Sequence, residues 1–472
     1  MNIIRLALFF AAVLFLPSPS GAESVSVSDA GDQTTVEVTV YNNNLGLIKD
    51  VRTVTLPSGE GELRFMDVAS HIQPATVLVQ SVRPSSGFTV LEQNYEYDLM
   101  NARKLLDKYV GKQIKIVDWN RFQDRKDVVE ATLLANNEGQ VYRIGEEIFL
   151  GHPGVKVLPE LPGDLIAKPT LTWRFRNGYT EPQKLRVSYL TENIGWRADY
   201  VLLLNDDDTM ADLSGWVTLD NRSGAAYRNA RLKLVAGEVH RATPEPPGRD
   251  PMFQAKAMAE AEGFREEAFF EYHLYDLDRP TTIKDLQTKQ IRLLEASGLG
   301  VTKELLVTSP RGFFNRRLQG PSPRQPVAAF LSFANKKENR LGRPLPAGIV
   351  RVYKEDSRGS RQFIGEDRIA HIPTGETVRL KTGESFDVVA ERTQTDFKQV
   401  TRGRYETAWD VTLRNHKEEA VRVGVVERLT GHWKILTNSH DYRKVDAFSI
   451  RFDVSVPPDG ETTVRYRVQV GL

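Results

Sequence analysis

Cysteine is absent from all 472 residues. A chain without thiols can form no disulfide, no cysteine-linked lipid anchor and no thiolate metal site, so its fold must rest on burial and hydrogen bonding alone. An excess of charge is missing as well, with 63 Lys and Arg against 62 Asp and Glu. That balance removes the whole-molecule field by which nucleic acid or lipid headgroups are attracted. After the first 16 residues, no apolar run approaches the roughly 20 residues a membrane-crossing helix needs. Histidine is sparse and scattered, eight in all, and no His-Glu-x-x-His pair is present. No metal or cofactor is therefore expected.

What is present begins at the N-terminus. Arg5 precedes the apolar run Leu6 to Leu16, and Pro17-Ser18-Pro19-Ser20-Gly21-Ala22 follows. A positive start, a short apolar stretch and small residues before Glu23 read as a secretory leader, residues 1–22, cut after Ala22. Export without cysteine fits a bacterial envelope protein, in the periplasm or at the cell surface.

Period-two alternation dominates the remainder. Val36, Val38 and Val40, then Leu185, Val187 and Tyr189, then Val464, Tyr466, Val468 and Val470 each alternate with polar neighbours. Such segments bury one face, as antiparallel strands do. Turn signals separate them, among them Pro57-Ser58-Gly59, Asn205-Asp206-Asp207-Asp208 and Pro457-Pro458-Asp459-Gly460. The expected fold class is mainly β, with several antiparallel sandwich-like units, a small inserted β-barrel and few helices. The expected divisions are an N-terminal β domain at 23–92 and a helix with a barrel-like insert at 93–165. A central sandwich at 166–243 resumes at 269–381, and a C-terminal sandwich-like domain fills 382–472. Between the central parts, a proline-rich then Ala/Glu-rich stretch reads as a flexible, partly helical insertion over 244–268. Leu99, Ala102, Leu106 and Tyr109 mark the one early helix, which Gly111 can end. A short echo links Trp216 to Asn221 with Trp409 to Asn415; in both, an asparagine stands where the strand gives way to a turn.

Few segments carry recognisable chemistry. Gly383-Glu384-Ser385 lacks the closing glycine of a nucleophile elbow. The Asp206–Asp208 run fails the calcium-loop pattern, since its fifth position is Met210. His432 and His440 flank Trp433, and a strand-turn-strand would bring them close. A basic stretch is more prominent: Arg311, Arg316, Arg317, Arg324, Lys336, Lys337, Arg340 and Arg343, with Phe313 and Phe314 interleaved. In an envelope compartment it would suit anionic glycan, lipid headgroups or phosphate. No nucleic-acid module accompanies it.

Three blocks carry a resemblance. The first is Val187-Ser188-Tyr189-Leu190-Thr191 with Gly195-Trp196-Arg197-Ala198-Asp199-Tyr200, running on to Asn221-Arg222-Ser223-Gly224 and Leu234-Val235-Ala236-Gly237. The second is Glu271-Tyr272-His273-Leu274-Tyr275 with Arg279-Pro280-Thr281-Thr282. The third is Leu341-Gly342-Arg343-Pro344-Leu345-Pro346-Ala347-Gly348. Together with Tyr41-Asn42-Asn43-Asn44-Leu45-Gly46-Leu47, they resemble secreted proteins carrying the domain of unknown function 4139, related to proteins called mucoidy inhibitor A. The resemblance implies a β-rich secreted or envelope protein and supplies no catalytic residue. His273, inside the second block, is the candidate proton donor or acceptor. Asp199, Glu271 and Asp276 are the acids nearest the blocks.

The functional expectation is an exported structural or interaction module that binds envelope proteins or glycan through loops and edges. A hydrolase with carboxylates from separate segments is the alternative. For the leader, N-terminal sequencing of the exported protein is expected to begin at Glu23; a start at Met1 in the mature fraction would overturn it.

Overall fold

The computed structural model describes residues 24–83, 87–96, 101–120, 125–160, 168–237, 239–241, 264–269, 272–310, 312–318 and 324–471. Strands dominate, and the one α-helix among the described residues is Ala102–Asp107. Two compact units form. The first comprises the described residues up to Val36, with Ile48–Thr191 and Ser223–Ala225; the second comprises Glu37–Leu47, Glu192–Arg222 and Ala226 onward.

In the first unit, Val25–Ser28, Gly59–Met66, Thr170–Asn177 and Phe88–Glu96 lie side by side in that order. The boundary expected at 92–93 falls inside Phe88–Glu96, whose register with Thr170–Asn177 continues past it. Arg52, 1% exposed, is held inside this unit. Its guanidinium donates to Asp50 Oδ2 and to the Ser28 carbonyl, and lies 3.5 Å above the Phe65 ring.

The expected small barrel is an open sheet. Its strands run Glu147–Leu150, Val141–Ile144, Arg125–Ala135, Gln113–Asn120 and Val155–Val157, and the two outer strands do not pair with each other. Closure requires tilted strands with a fixed stagger, and here the helix covers the inner face instead. Asn101 Oδ1 caps that helix by accepting from Lys104 N–H at 3.0 Å. Leu106 and Tyr109 then pack on Ile114, Ile116, Leu133 and Tyr142.

The second unit contains two facing layers and a larger sheet. One layer is ordered Gln287–Gly300, Met210–Asn221, Ile194–Leu204, Gly348–Glu355 and Arg361–Ile369. Facing it, Tyr227–Ala236 pairs antiparallel with Tyr272–Leu277 and parallel with residues 37–41. Trp196 joins the layers: its indole N–H donates to the Val235 carbonyl at 3.1 Å and its ring meets Tyr275 edge-on. Strand structure resumes earlier than expected, since residues 264–268 lie within Phe264–Phe269, paired with Tyr272–Leu277. The leader and residues 244–263 lie outside the described residues.

The third sheet has nine strands. Its strand Thr377–Thr401 runs on through the boundary expected at 381–382: pairing passes from Lys381↔Phe330 to Gly383↔Ala329 across a register shift that leaves Thr382 as an extra residue without ending the strand. Phe313 and Phe314, interleaved with the basic stretch, belong to this core and pack on Trp409. Arg392 and Glu427 form an ion pair inside it, both 0% exposed, and Arg392 Nε donates to Gln325 Oε1 at 2.7 Å.

Strand ends share one device. Asn177, Asn221 and Asn415 are the last residues of their strands and Asn335 follows one directly; all four are buried. Each donates its side-chain amide to carbonyls of an adjoining segment: Asn177 to Pro57 and Tyr179, Asn221 to Lys284, Asn335 to Arg343 and Pro373, Asn415 to Glu419 and Pro457. An amide offers donors and an acceptor at one point, so it satisfies carbonyls that the ladder has released. Asn415→Ala is expected to lower unfolding stability by about 1–3 kcal/mol, the cost of stranding buried carbonyls. An unchanged denaturant midpoint would show that the loops are held by other contacts.

A polar cleft around Gly195

The ladder between Ile194–Leu204 and Met210–Asn221 is regular from Ile194↔Asn221 to Leu204↔Ala211. Pleating therefore sends Trp196, Ala198 and Tyr200 inward, and Gly195, Arg197 and Asp199 outward; Asn193, the residue before the strand, joins them at the cleft. Opposite them on the outer face stand Arg222, Asp220 and Thr218. Gly195 contributes no side chain at the middle of this row, and an open cleft of about 330 Å3 results. It is lined by Asn42, Asn44, Asn193, Arg197, Asp220 and Arg222, with Gly195 and Trp196 between.

Local chain geometry holds these groups in place. Asn44 and Asn193 take left-handed backbone at φ 59° and 60°, which short polar side chains tolerate. Asn42 is an anchor, donating to the Trp196 carbonyl at 3.1 Å and accepting from Gly237 N–H at 3.4 Å. Arg222 N–H donates to the Asn193 carbonyl at 2.7 Å. The guanidiniums remain largely in solvent: Arg197 is 59% exposed and touches Asp199 at 3.4 Å, while Arg222 is 68% exposed and touches Asp220 at 3.5 Å. The cleft thus presents amides, guanidiniums and one carboxylate, all suited to hydrogen bonding of polar ligands.

The three sequence blocks pack together beneath it. Tyr200 Oη donates to the Pro346 carbonyl at 2.9 Å, and Tyr275 Oη to the Pro344 carbonyl at 3.2 Å. Burial, then the neighbouring Tyr275, pushes the Tyr200 phenol well above its ordinary range.

The candidate acids are separated. Asp199 is nearly buried, and its carboxylate accepts from Thr218 Oγ1 at 2.6 Å and Arg351 Nη1 at 3.1 Å. Asp276 lies in the facing layer, cross-strand from Lys233. Trp196 and Tyr275 meet inside, Asp199 is three residues from one and Asp276 adjacent to the other. Alternation therefore points the two carboxylates away from each other, from opposite outer faces. His273 is half-buried in Tyr272–Leu277, between Ala236 and Ala268 on its neighbours. Glu271 and Arg311 lie outside the described residues.

The basic stretch does not form one patch. Arg316, Arg317 and Arg324 precede Gln325–Ala334, whereas Lys336, Lys337, Arg340 and Arg343 follow it. Ten strand residues separate the groups by roughly 33 Å. His432 opens the strand His432–Asn438 and His440 lies two residues past its other end, which puts them roughly 20–25 Å apart along the chain. The aspartate run forms a turn, and Asp208 sits between Lys303 and Lys354 at 2.6 Å from each. No group of three His, Cys, Asp or Glu residues able to hold a metal occurs among the described residues, and no helix there is long and apolar enough to cross a membrane.

Asp276 offers a test of its role. Burial, opposed by Lys233 and reinforced by Glu37 and Asp278, raises its carboxyl above the ordinary value. A folded-state value above the unfolded one means the ionised carboxylate opposes folding at neutral pH, and this opposition fades as pH falls through the folded value. Asp276→Asn is therefore expected to hold or raise the melting temperature at pH 7, with the difference from the parent shrinking toward pH 4. A clear loss of stability at pH 7 would contradict this.

A search of the curated proteins finds no match to the chain. The model of the family described as a domain of unknown function (DUF4139) matches residues 185–471, and so takes in the whole cleft except its Asn42–Asn44 wall. Since that match spans more than half of the chain, the protein belongs to the DUF4139 family.

Proposed function

We propose that this is an exported protein of the bacterial envelope, in the periplasm or at the cell surface, that binds glycan in the cleft around Gly195. The observation that carries the proposal is the missing side chain at Gly195, on the polar face of a regular strand, ringed by two asparagines, two arginines and an aspartate. Sugar hydroxyls both donate and accept, and this mixture of amide, guanidinium and carboxylate meets them in both senses. Rigid strands set the spacing, and only short turns contribute the asparagines. The leader-like first 22 residues and the absence of thiols support an extracytoplasmic place of work.

Hydrolysis draws less support. The two described candidate acids face opposite ways, and Asp199 is engaged by Thr218 and Arg351, which leaves it poorly placed to move a proton.

Position 195 allows a clean test. A Cβ built there would meet nothing nearer than the Asn44 backbone at 3.6 Å, an ordinary contact. Gly195→Gln should therefore fold, yet its side chain would stand in the cleft. Calorimetric titration with solubilised envelope glycan fragments is expected to show binding by the parent and at least about a tenfold loss in the variant. Equal binding by both, at equal melting temperature, would remove the cleft from consideration.

A further inference from the structure

We infer that two copies of this chain associate edge to edge through the strand Glu147–Leu150, joining their five-stranded sheets across a two-fold axis. That strand is the outer member of its sheet, and all four of its residues are exposed. Ile148 is 61% and Leu150 87% exposed. The one charge, Glu147, stands at the turn end, and no lysine, proline or bulge interrupts the segment. Charges, prolines and bulges are what keep such borders from recruiting another strand. The borders of the nine-stranded sheet show the contrast: His432–Asn438 carries Lys434, and Tyr442–Asp446 carries Arg443, Lys444 and Asp446.

The hairpin decides which backbone groups are open. Val141–Ile144 and Glu147–Leu150 are joined by Gly145 and Glu146, with Gly145 at φ 62°. In a two-residue hairpin the residues flanking the turn, here Ile144 and Glu147, exchange both backbone bonds, and the pattern then alternates. Phe149 is therefore bonded to Tyr142, while the N–H and C=O groups of Ile148 and Leu150 point away from the sheet. A two-fold axis through Phe149 sets Ile148 against the partner's Leu150 twice over, with about four backbone hydrogen bonds. The side chains agree. Tyr142, opposite Phe149, packs with the helix residues Leu106 and Tyr109, so Ile148 and Leu150 share the face turned away from the helix. An axis moved to Ile148 or to Leu150 would leave the other apolar side chain opposite Glu146 or His152.

Charge complementarity favours a second copy over a foreign strand. The same register brings the Glu146 turn of each copy to His152 of the partner subunit. His152 Nδ1 accepts from Gly154 N–H at 3.0 Å, so Nε2 carries the proton and is the donor left for a carboxylate. A pairing of this length buries less than the roughly 1,200 Å2 at the lower end of stable interfaces. The association is accordingly weak, with Kd on the order of 0.1 mM.

The absence of cysteine makes the register testable in the full chain. Phe149→Cys introduces the sole thiol at the position that faces itself across the axis, where Cα atoms lie about 4.5 Å apart, within disulfide reach. Under mild oxidation it is expected to give a covalent dimer at least about tenfold faster than Ile148→Cys, whose copies lie roughly 8 Å apart. Should loss of the ring unsettle the hairpin, an equimolar mixture of Ile148→Cys and Leu150→Cys chains tests the same register at two exposed positions, and is expected to crosslink between the two kinds in preference to within either. Sedimentation of the parent from about 5 to 300 µM should show a reversible dimer, weakened at least about tenfold in the Ile148→Lys, Leu150→Lys double variant at unchanged melting temperature. A parent monomeric throughout, a dimer indifferent to the two lysines, or crosslinking as fast at 148 as at 149 would each overturn the proposal. A monomeric parent whose Phe149→Cys form is recovered linked to a different protein would assign the edge to a foreign strand instead.

Discussion

The structure of the second unit depends on an uninterrupted pleat in Ile194–Leu204. Because no bulge breaks its ladder with Met210–Asn221, every side chain has its face assigned by parity alone. Trp196 is thereby committed to the interior, where it locks onto Val235 and Tyr275, and Gly195 and Arg197 are committed to solvent. A one-residue slip would exchange the two sets, bury the arginines and expose the indole. The clamp that holds the layers together and the opening of the cleft are consequences of the same register.

A different constraint governs the nine-stranded sheet. Arg392 and Glu427 are both removed from water, and beside them the Tyr466 phenol is pushed well above its ordinary range by burial and by the Glu427 charge. A buried ion pair adds little net stability relative to apolar residues of the same volume, but deleting one partner is costly, at about 3–5 kcal/mol. Its presence fixes how Thr377–Thr401 and Val421–Arg428 stand relative to each other, since each charge is tolerable only opposite the other. A third unusual interior charge, Arg52, is satisfied by a carboxylate, a carbonyl and an aromatic face.

Strand content was legible in the sequence because burial of one face imposes period two, and the early helix because period 3.6 differs from it. Asn221 and Asn415 were also visible as strand-ending residues, although their carbonyl partners were not. Closure was not legible: Gln113–Asn120, Arg125–Ala135 and Val141–Ile144 look the same in sequence whether their sheet closes or lies open under a helix. The basic stretch looked continuous because sequence distance ignores the length of the strand that divides it. Asp199 and Asp276 could not be assigned to opposite faces until their pairing partners were known. The cleft was missed, although a weak signal existed. Within the outward set Gly195, Arg197 and Asp199, with Asn193 just before it, glycine is the one small residue among polar ones, which marks either close packing or an opening. Only the neighbouring turn at Asn42–Asn44 decides for an opening.

The ladders that run parallel have an implication for the order in which this chain can mature. Residues 37–41 await Arg231–Val235, Ala198–Leu204 await Gly348–Lys354, and Leu305–Thr308 await Val423–Val426. Partners separated by more than a hundred residues must find one another after a large loss of chain entropy, which makes assembly slow. An emerging N-terminal portion thus carries unfinished sheet borders until much of the polypeptide exists, and during that interval it is exposed to mispairing with other chains. Acquisition of the native state is a late, collective event governed by residues far downstream of those whose edges it seals.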